Sequence, residues 1–414
     1  MTDARGVERL YLLLTLLTTL AASFIWGVNT LFLLDAGLSN TEAFLANAFY
    51  TLGMVLFEVP TGVVADTRGR RFSFLLGTGT LLASTLLYLW MWDLRAPMWG
   101  WAISSVLIGL GFTFFSGATE AWLVDALAAT GFKGSLDAVF GRAQVVAGGA
   151  MLTGSVLGGV IAQFTDLGMP YLVRAGVLAL TFAVGWWAMR DLGFTRQAHA
   201  SPVAAVRHVL AGAVAGGLRN RPVRWVMLAA PFTAGTGVYV FYALQPHLLQ
   251  LYGDPNAYGV AGLAAALSAG AQIVGGLLAP RLRRLFRLRT SVLMVGGLLG
   301  VVLLGLLGLV SNFVVALALV AIWSMAGAAV APLRQSFVNG AIPSAQRATV
   351  LSFDSLLGSA GGVVAQPALG RVADAAGYPA SFLASAGVQA LALPFILLAR
   401  RERAASDPIV AVDR

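Results

Sequence analysis

The run Glu58-Val59-Pro60-Thr61-Gly62-Val63-Val64-Ala65-Asp66-Thr67-Arg68-Gly69-Arg70-Arg71 closes one long apolar segment and, after a single short turn, opens another. A hydrophobic helix that ends in Asp, Gly and a cluster of Arg has reached a membrane surface. Arg68, Arg70 and Arg71 cannot sit in hydrocarbon, and such clusters favour the cytoplasmic face. Gly62 and Gly69 permit a tight reversal and close helix approach. Asp66 can pair with a neighbouring Arg or cap a helix N-terminus.

Composition agrees with a membrane reading. Of 414 residues, 58% are hydrophobic and 11% charged, where a soluble domain carries roughly 25% charged residues. The first apolar run is too long for a cleaved signal peptide. There is no Cys, which removes disulfide and thiolate chemistry. The three His are scattered (His199, His208, His247), so no zinc site is expected. The net charge of +9 is spread in short clusters between apolar spans, the pattern of topology determinants rather than of nucleic-acid binding.

A spanning helix needs about 20 apolar residues. That template predicts twelve spans, at 9–34, 41–65, 72–92, 98–128, 138–163, 171–190, 224–251, 257–280, 290–310, 313–340, 347–370 and 379–400. With the N-terminus inside, the inner connections hold Arg68 to Arg71, Lys133, Arg190 to Arg224, Arg281 to Arg289, Arg347 and the tail from Arg400. The outer side keeps only Arg95, Arg174 and Arg371. Ser39-x-x-Glu42 reads as a capping box opening span two. Residues 191–222 form the longest polar connection, between two halves at 1–190 and 223–403, and 404–414 read as a short frayed tail. The halves echo one another: Gly158-Gly159-Val160-Ile161-Ala162-Gln163 matches Gly361-Gly362-Val363-Val364-Ala365-Gln366, and Gly62-Val63-Val64-Ala65 matches Gly276-Leu277-Leu278-Ala279.

Gly62, Asp66, Gly69, Arg70 and Arg71 resemble the signature between the second and third helices of the major facilitator superfamily, Gly-x-x-x-Asp-(Arg/Lys)-x-Gly-Arg-(Arg/Lys). Thr67 stands where that family usually has a base, and Arg68 follows it. The resemblance implies an all-α integral membrane fold of twelve transmembrane helices in two pseudo-symmetric six-helix bundles. It also implies a gate in which Asp66, Arg68 and Arg70 act with charges at neighbouring helix ends. Gly154-Ser155-x-x-Gly158-Gly159 in span five resembles the superfamily's antiporter signature Gly-Pro-x-x-Gly-Gly, with Ser155 in place of Pro. Gly154, Gly158 and Gly159 would supply a bend and a tight seam; ordinary small-residue packing is the alternative.

Acids inside spans are sharper clues, since an intramembrane carboxylate is costly. Glu58 lies about two turns before the end of span two, beside Pro60, and is the first candidate for proton coupling. Glu120 and Asp354 are the others. Spans one, four, seven and ten line the cavity in the superfamily, so Glu120 can face Arg334 across it. The alternative pairs each charge locally, Arg334 with Asp354 and Asp125 with Arg142. Candidate substrate contacts are Trp26, Asn29, Glu120, Tyr239, Tyr242, Gln245, Trp323 and Arg334, because aromatic bodies with polar tips suit an amphipathic ligand.

No nucleotide-binding loop and no hydrolase motif occurs, so neither ATP hydrolysis nor enzymatic chemistry is expected. No cofactor is implied. The resemblance extends to bacterial drug:proton antiporters. The protein is therefore expected to be a proton-coupled exporter of drug-like or amphipathic small molecules. A metabolite symporter or facilitator, or a lipid or lysolipid flippase, is the alternative. The expected setting is the bacterial cytoplasmic membrane, as a multi-pass monomer with both termini inside. The expected partners are the substrate, protons and lipid, without nucleic acid.

Overall fold

The computed structural model describes residues 3–115, 118–195, 217–342 and 347–409, and among them all regular structure is helical. The elements are α1 (Ala4–Trp26), α2 (Asn29–Asp35), α3 (Asn40–Arg68), α4 (Arg70–Asp93), α5 (Met98–Thr113), α6 (Ala118–Ala129), α7 (Leu136–Phe164) and α8 (Met169–Ala188). They continue with α9 (Arg221–Tyr252), α10 (Tyr258–Leu285), α11 (Arg289–Leu309), α12 (Phe313–Gly340), α13 (Arg347–Ala390) and α14 (Ala392–Arg401). Eleven stretches among the described residues are long and apolar enough to cross a membrane. The last, Val350–Arg401, runs to 52 residues. It breaks at Gly377, whose φ of 81° and ψ of 169° no helix accommodates. Twelve crossings result, as the hydropathy pattern predicts. Large apolar side chains such as Trp99, Phe164, Trp187 and Leu309 stay exposed on these helices, as lipid-facing residues do.

Local chemistry sets the element ends. Ser39 and Glu42 form the predicted capping box: the Ser39 N–H donates to the Glu42 carboxylate (2.9 Å) and the Glu42 N–H to Ser39 Oγ (3.3 Å). Asn312 accepts from the Val315 N–H (3.1 Å) to start α12. Gly253 closes α9 in the left-handed region at φ 86°. Gly69 separates α3 from α4 at φ 107°, and the carboxylate of Asp191 fills the space a β-carbon would need there.

The chain divides into two compact units. The first comprises Met1–Leu38, Phe49–Ala205 and Asn256–Ala266. The second comprises Ser39–Ala48, Val206–Pro255 and Leu267–Arg414. In the first, one core joins α1, α4, α6 and α7 through Leu10, Leu14, Phe74, Trp122 and Val139. Glycines let its helices touch at backbone distance. Gly154 lies against Ser23 and Gly158 against the Phe24 carbonyl, so α7 packs directly on α1. A β-carbon at Gly159 would lie 2.8 Å from Gly262 Cα, and one at Gly27 would lie 2.9 Å from the same atom. The α7 helix is continuous from Leu136 to Phe164. Gly154, Gly158 and Gly159 on it serve close approach.

In the second unit the start of α3 is capped from far along the chain. The Asp374 carboxylate accepts from the backbone N–H of Asn40 (2.9 Å) and of Thr41 (2.8 Å). Tyr378 donates to Asn40, and Phe44 packs on Tyr239 with ring centroids 4.6 Å apart. His247 is buried, its ring 4.8 Å from that of Phe382.

The expected frayed tail is corrected as far as residue 409. Asp407 is 3% exposed and caps α11 by accepting from Thr290 N and Oγ1, both at 2.8 Å. Arg289 donates to the Ser406 carbonyl at 2.6 Å. Residues 410–414, and 196–216 of the expected linker at 191–222, lie outside the described residues.

The glycine seam yields a direct test. Gly158→Ala forces a β-carbon into the Phe24 carbonyl and is expected to cost about 1–3 kcal/mol. Gly149→Ala meets nothing within 4 Å and is expected to stay within about 0.5 kcal/mol. Thermal unfolding in detergent, followed by tryptophan fluorescence, compares the two.

A charged cavity as the candidate functional site

Within the first unit lies a cavity of about 600 Å³, in the range of small-molecule sites. One face of α1 supplies much of its wall. Tyr11, Thr15, Thr18, Ala22 and Trp26 recur every three or four residues, which places them on one helical stripe. Phe112 and Phe115 come from the end of α5, and Thr119 and Glu120 from the first turn of α6. Arg174 and Leu178 come from α8, one turn apart. The wall thus combines aromatic faces, hydroxyls, one acid and one base.

The two charges differ in setting. Glu120 is exposed at the wall and belongs to no ion pair among the described residues. Arg174 is 2% exposed. Its Nε donates to Thr85 Oγ1 at 3.1 Å, while the Thr85 hydroxyl donates its own proton to the Leu81 carbonyl at 2.6 Å. The guanidinium carbon lies 5.8 Å from the Phe112 ring centroid. The expectation that Arg174 marks an outer surface is corrected: it is an interior residue. The Thr18 hydroxyl donates to the Leu14 carbonyl (2.8 Å) and so keeps acceptor capacity for a ligand.

The Glu58–Arg71 run takes shape as follows. Asp66 and Arg70 pair at 2.6 Å across one turn. Arg70 Nε approaches Asp125 at 4.0 Å, and the guanidinium lies over Phe194. Arg68 is exposed over Phe72. The Arg71 backbone N–H donates to Asp191 (2.8 Å), and its Nη2 to the Trp186 carbonyl (2.6 Å). Gly62 has nothing within 4 Å of the β-carbon position, so local packing does not require a glycine there. The local pairing of Asp125 with Arg142 is corrected: Arg142 pairs with Glu8 at 2.6 Å. Glu58 is half-buried on α3, and its carbonyl accepts from Thr61 Oγ1 at 3.2 Å.

Other sequence candidates fall elsewhere. Asn29 is buried and accepts from the Tyr171 hydroxyl at 2.8 Å, inside an aromatic cluster around Phe32. In the second unit Tyr239 is fully buried and donates to Ser381 Oγ at 2.7 Å. Gln245 is buried, while Tyr242 and Trp323 are half-buried. Arg334 grips Asp354 with both terminal nitrogens, at 2.6 and 2.7 Å, and also donates to the Val226 carbonyl at 3.3 Å. Of the two pairings the sequence leaves open for Arg334, the local one with Asp354 is formed. Sequence reading missed Arg174, Tyr11, the α1 threonines and Asp191. The threonine spacing on α1 was a readable signal; the depth of Arg174 was not.

The family model for the Major Facilitator Superfamily matches residues 11–365. An uncharacterized MFS-type transporter of Methanocaldococcus jannaschii is 21% identical over 230 residues, 56% of this chain and 57% of the relative. That match therefore spans little more than half the length of the relative. Among solved structures, the nucleoside transporter NupG superposes with a TM-score of 0.77 at 11% identity, covering 96% of this chain and 99% of the other. A bacterial homolog of the human lysosomal transporter Spinster gives 0.75 at 15%, covering 97% of each chain. A D-xylose–proton symporter gives 0.67 at 16%, covering 95% and 96%. These structural likenesses concern the fold.

The Arg334–Asp354 pair is testable by exchange. Its side chains are 29% and 10% exposed, and breaking a largely desolvated pair strands one charge. Arg334→Asp alone and Asp354→Arg alone are each expected to lower Tm by about 5 °C or more. The double exchange should recover much of the loss. Neutral single variants would show that the pair contributes nothing.

Proposed function

The chain belongs to the Major Facilitator Superfamily, and from that premise we propose that this secondary transporter is a proton-coupled exporter of small amphipathic molecules. Glu120 carries the reading: it is an acid in a cavity wall, in no ion pair among the described residues. A carboxylate so placed can hold a proton or the cationic group of a substrate, but not both. That exclusivity is the physical basis of antiport. Tyr11, Trp26, Phe112 and Phe115 offer faces for an apolar body. Asp354 is committed to Arg334, which leaves it less suited to carry a proton. Glu58 lies outside the cavity wall and stands second to Glu120.

The seam made by Gly154, Gly158 and Gly159 and its resemblance to the antiporter signature favour export. Asp66, Arg70 and Asp125 supply charges that can re-pair during alternating access. The protein is proposed to act as a monomer in the bacterial cytoplasmic membrane, with both termini inside, a six-helix half on either side of the linker at 191–222. The hydroxyl stripe of α1 supports a second reading, proton symport of a polar metabolite. A nucleoside transporter and a D-xylose–proton symporter are among the structural neighbours.

Proteoliposomes with an imposed pH gradient and the fluorescent amine dansylcadaverine separate these readings. Native protein is expected to move the amine against its gradient, with proton flux opposed. Glu120→Gln is expected to lose gradient-driven movement by about tenfold or more. Loss in Glu58→Gln with Glu120→Gln intact would move the proton to Glu58. Movement of amine and protons in the same direction would contradict antiport.

A further inference from the structure

We propose that the end of the second unit formed by the α10–α11 turn and the pinned C-terminal segment is a docking surface for anionic phospholipid of the bilayer. The inference is independent of what the cavity carries.

Two helices reach this end with the same pattern. On α10, Ile273, Leu277, Arg281 and Arg284 follow at spacings of four, four and three residues, which places them along one stripe. All four are exposed, Leu277 by 69%. On α14, Leu397 is followed at three and four residues by Arg400 and Arg401, and all three are exposed. An apolar stripe that turns basic toward the helix end matches a lipid, whose acyl chains lie deeper than its phosphate.

The C-terminal segment ties this end together. The Ile409 N–H donates to the Arg287 carbonyl and the Arg289 N–H to the Asp407 carbonyl, both at 2.9 Å. Leu282, Phe286 and Ile409 pack on one buried cluster of Ala279, Val292 and Leu333. Arg403 lies four residues before Asp407, within about 14 Å of chain.

Charge there is unbalanced. Arg281, Arg284, Arg287, Arg400, Arg401 and Arg403 are exposed, and none enters an ion pair among the described residues. The acids Glu402 and Asp407 are already committed. Glu402 accepts from Trp225 Nε1 at 3.2 Å, and Asp407 occupies the N-terminus of α11. A phosphate at this surface is therefore met by guanidinium groups, whose forked N–H donors suit it. A zwitterionic headgroup would bring its own cation to a surface already rich in them. A headgroup of net negative charge does not, and that difference selects anionic lipid.

Binding to the purified full chain in neutral detergent is read by native mass spectrometry. The probes are dioleoylphosphatidylglycerol, dioleoylphosphatidylcholine and glycerol 1-phosphate. Phosphatidylglycerol is expected to bind roughly tenfold more tightly, or better, than either of the others. The triple variant Arg281→Gln, Arg284→Gln, Arg403→Gln should lose most of that advantage. A control with the same change in net charge, Arg5→Gln, Arg9→Gln, Lys133→Gln in the first unit, should keep it. All six positions are exposed, where substitution perturbs stability little. Should the first triple variant nevertheless fail to fold, the native comparison still decides. Equal binding of the two lipids overturns the proposal, as does an advantage that survives in the first variant or is lost equally in the control. Glycerol 1-phosphate binding as tightly as phosphatidylglycerol would assign the surface to soluble phosphates and overturn it too.

Discussion

Charge does not dissolve in hydrocarbon, and that constraint sorts the ionisable side chains of the described helices. Arg334 is neutralised by Asp354, Arg70 by Asp66 and Arg142 by Glu8. Asp374 and Asp407 are spent on helix N-termini, at Asn40–Thr41 and Thr290. These groups hold helices in place. Glu120 is set apart because it lines a cavity large enough for a ligand and belongs to no ion pair among the described residues. Where a charge faces open volume inside a membrane protein, its counter-charge can come and go.

The cavity exists because the helices around it are held at backbone distance elsewhere. Hydrophobic attraction cannot do this in lipid, where neighbouring tails are as apolar as leucine. Gly154 and Gly158 let α7 lie on the backbone of α1, and Gly27, Gly159 and Gly262 meet around a single point. Another face of α1, carrying Thr15, Thr18 and Trp26, lines the cavity. One helix thus has a face that packs and a face that lines the cavity, and both follow from spacing of three and four residues.

Much of the fold was legible in the sequence. Apolar run lengths located all twelve crossings, the capping box named its own partners, and the Glu58–Arg71 run marked the reversal between α3 and α4. The site was less legible, for physical reasons. Arg174 sits only a turn and a half into α8, and sequence alone does not tell a snorkelling arginine at a helix end from one turned inward. Arg142 had two acids to choose from, and the near one in sequence, Asp125, lost to Glu8 from a helix far away in the chain. The docking of Asp407 on Thr290 joins segments more than a hundred residues apart, for which local pattern carries no signal. The sequence put Glu58 ahead of Glu120 and Asp354 as a proton carrier; the pairing of Asp354 with Arg334 and the place of Glu120 in a cavity wall are features that sequence alone does not carry.

The central claim is that Glu120, among the acids within the spans, is the carboxyl open to protons and ligand. Carbodiimide labelling tests it without knowledge of the substrate. Dicyclohexylcarbodiimide enters membranes and modifies protonated carboxyl groups that it can reach, and mass spectrometry reads the modified position. Labelling at Glu120, increasing as pH is lowered, with Asp354 protected by Arg334, is the predicted result. Labelling at Asp354 or Glu58 with Glu120 unmodified would contradict the account.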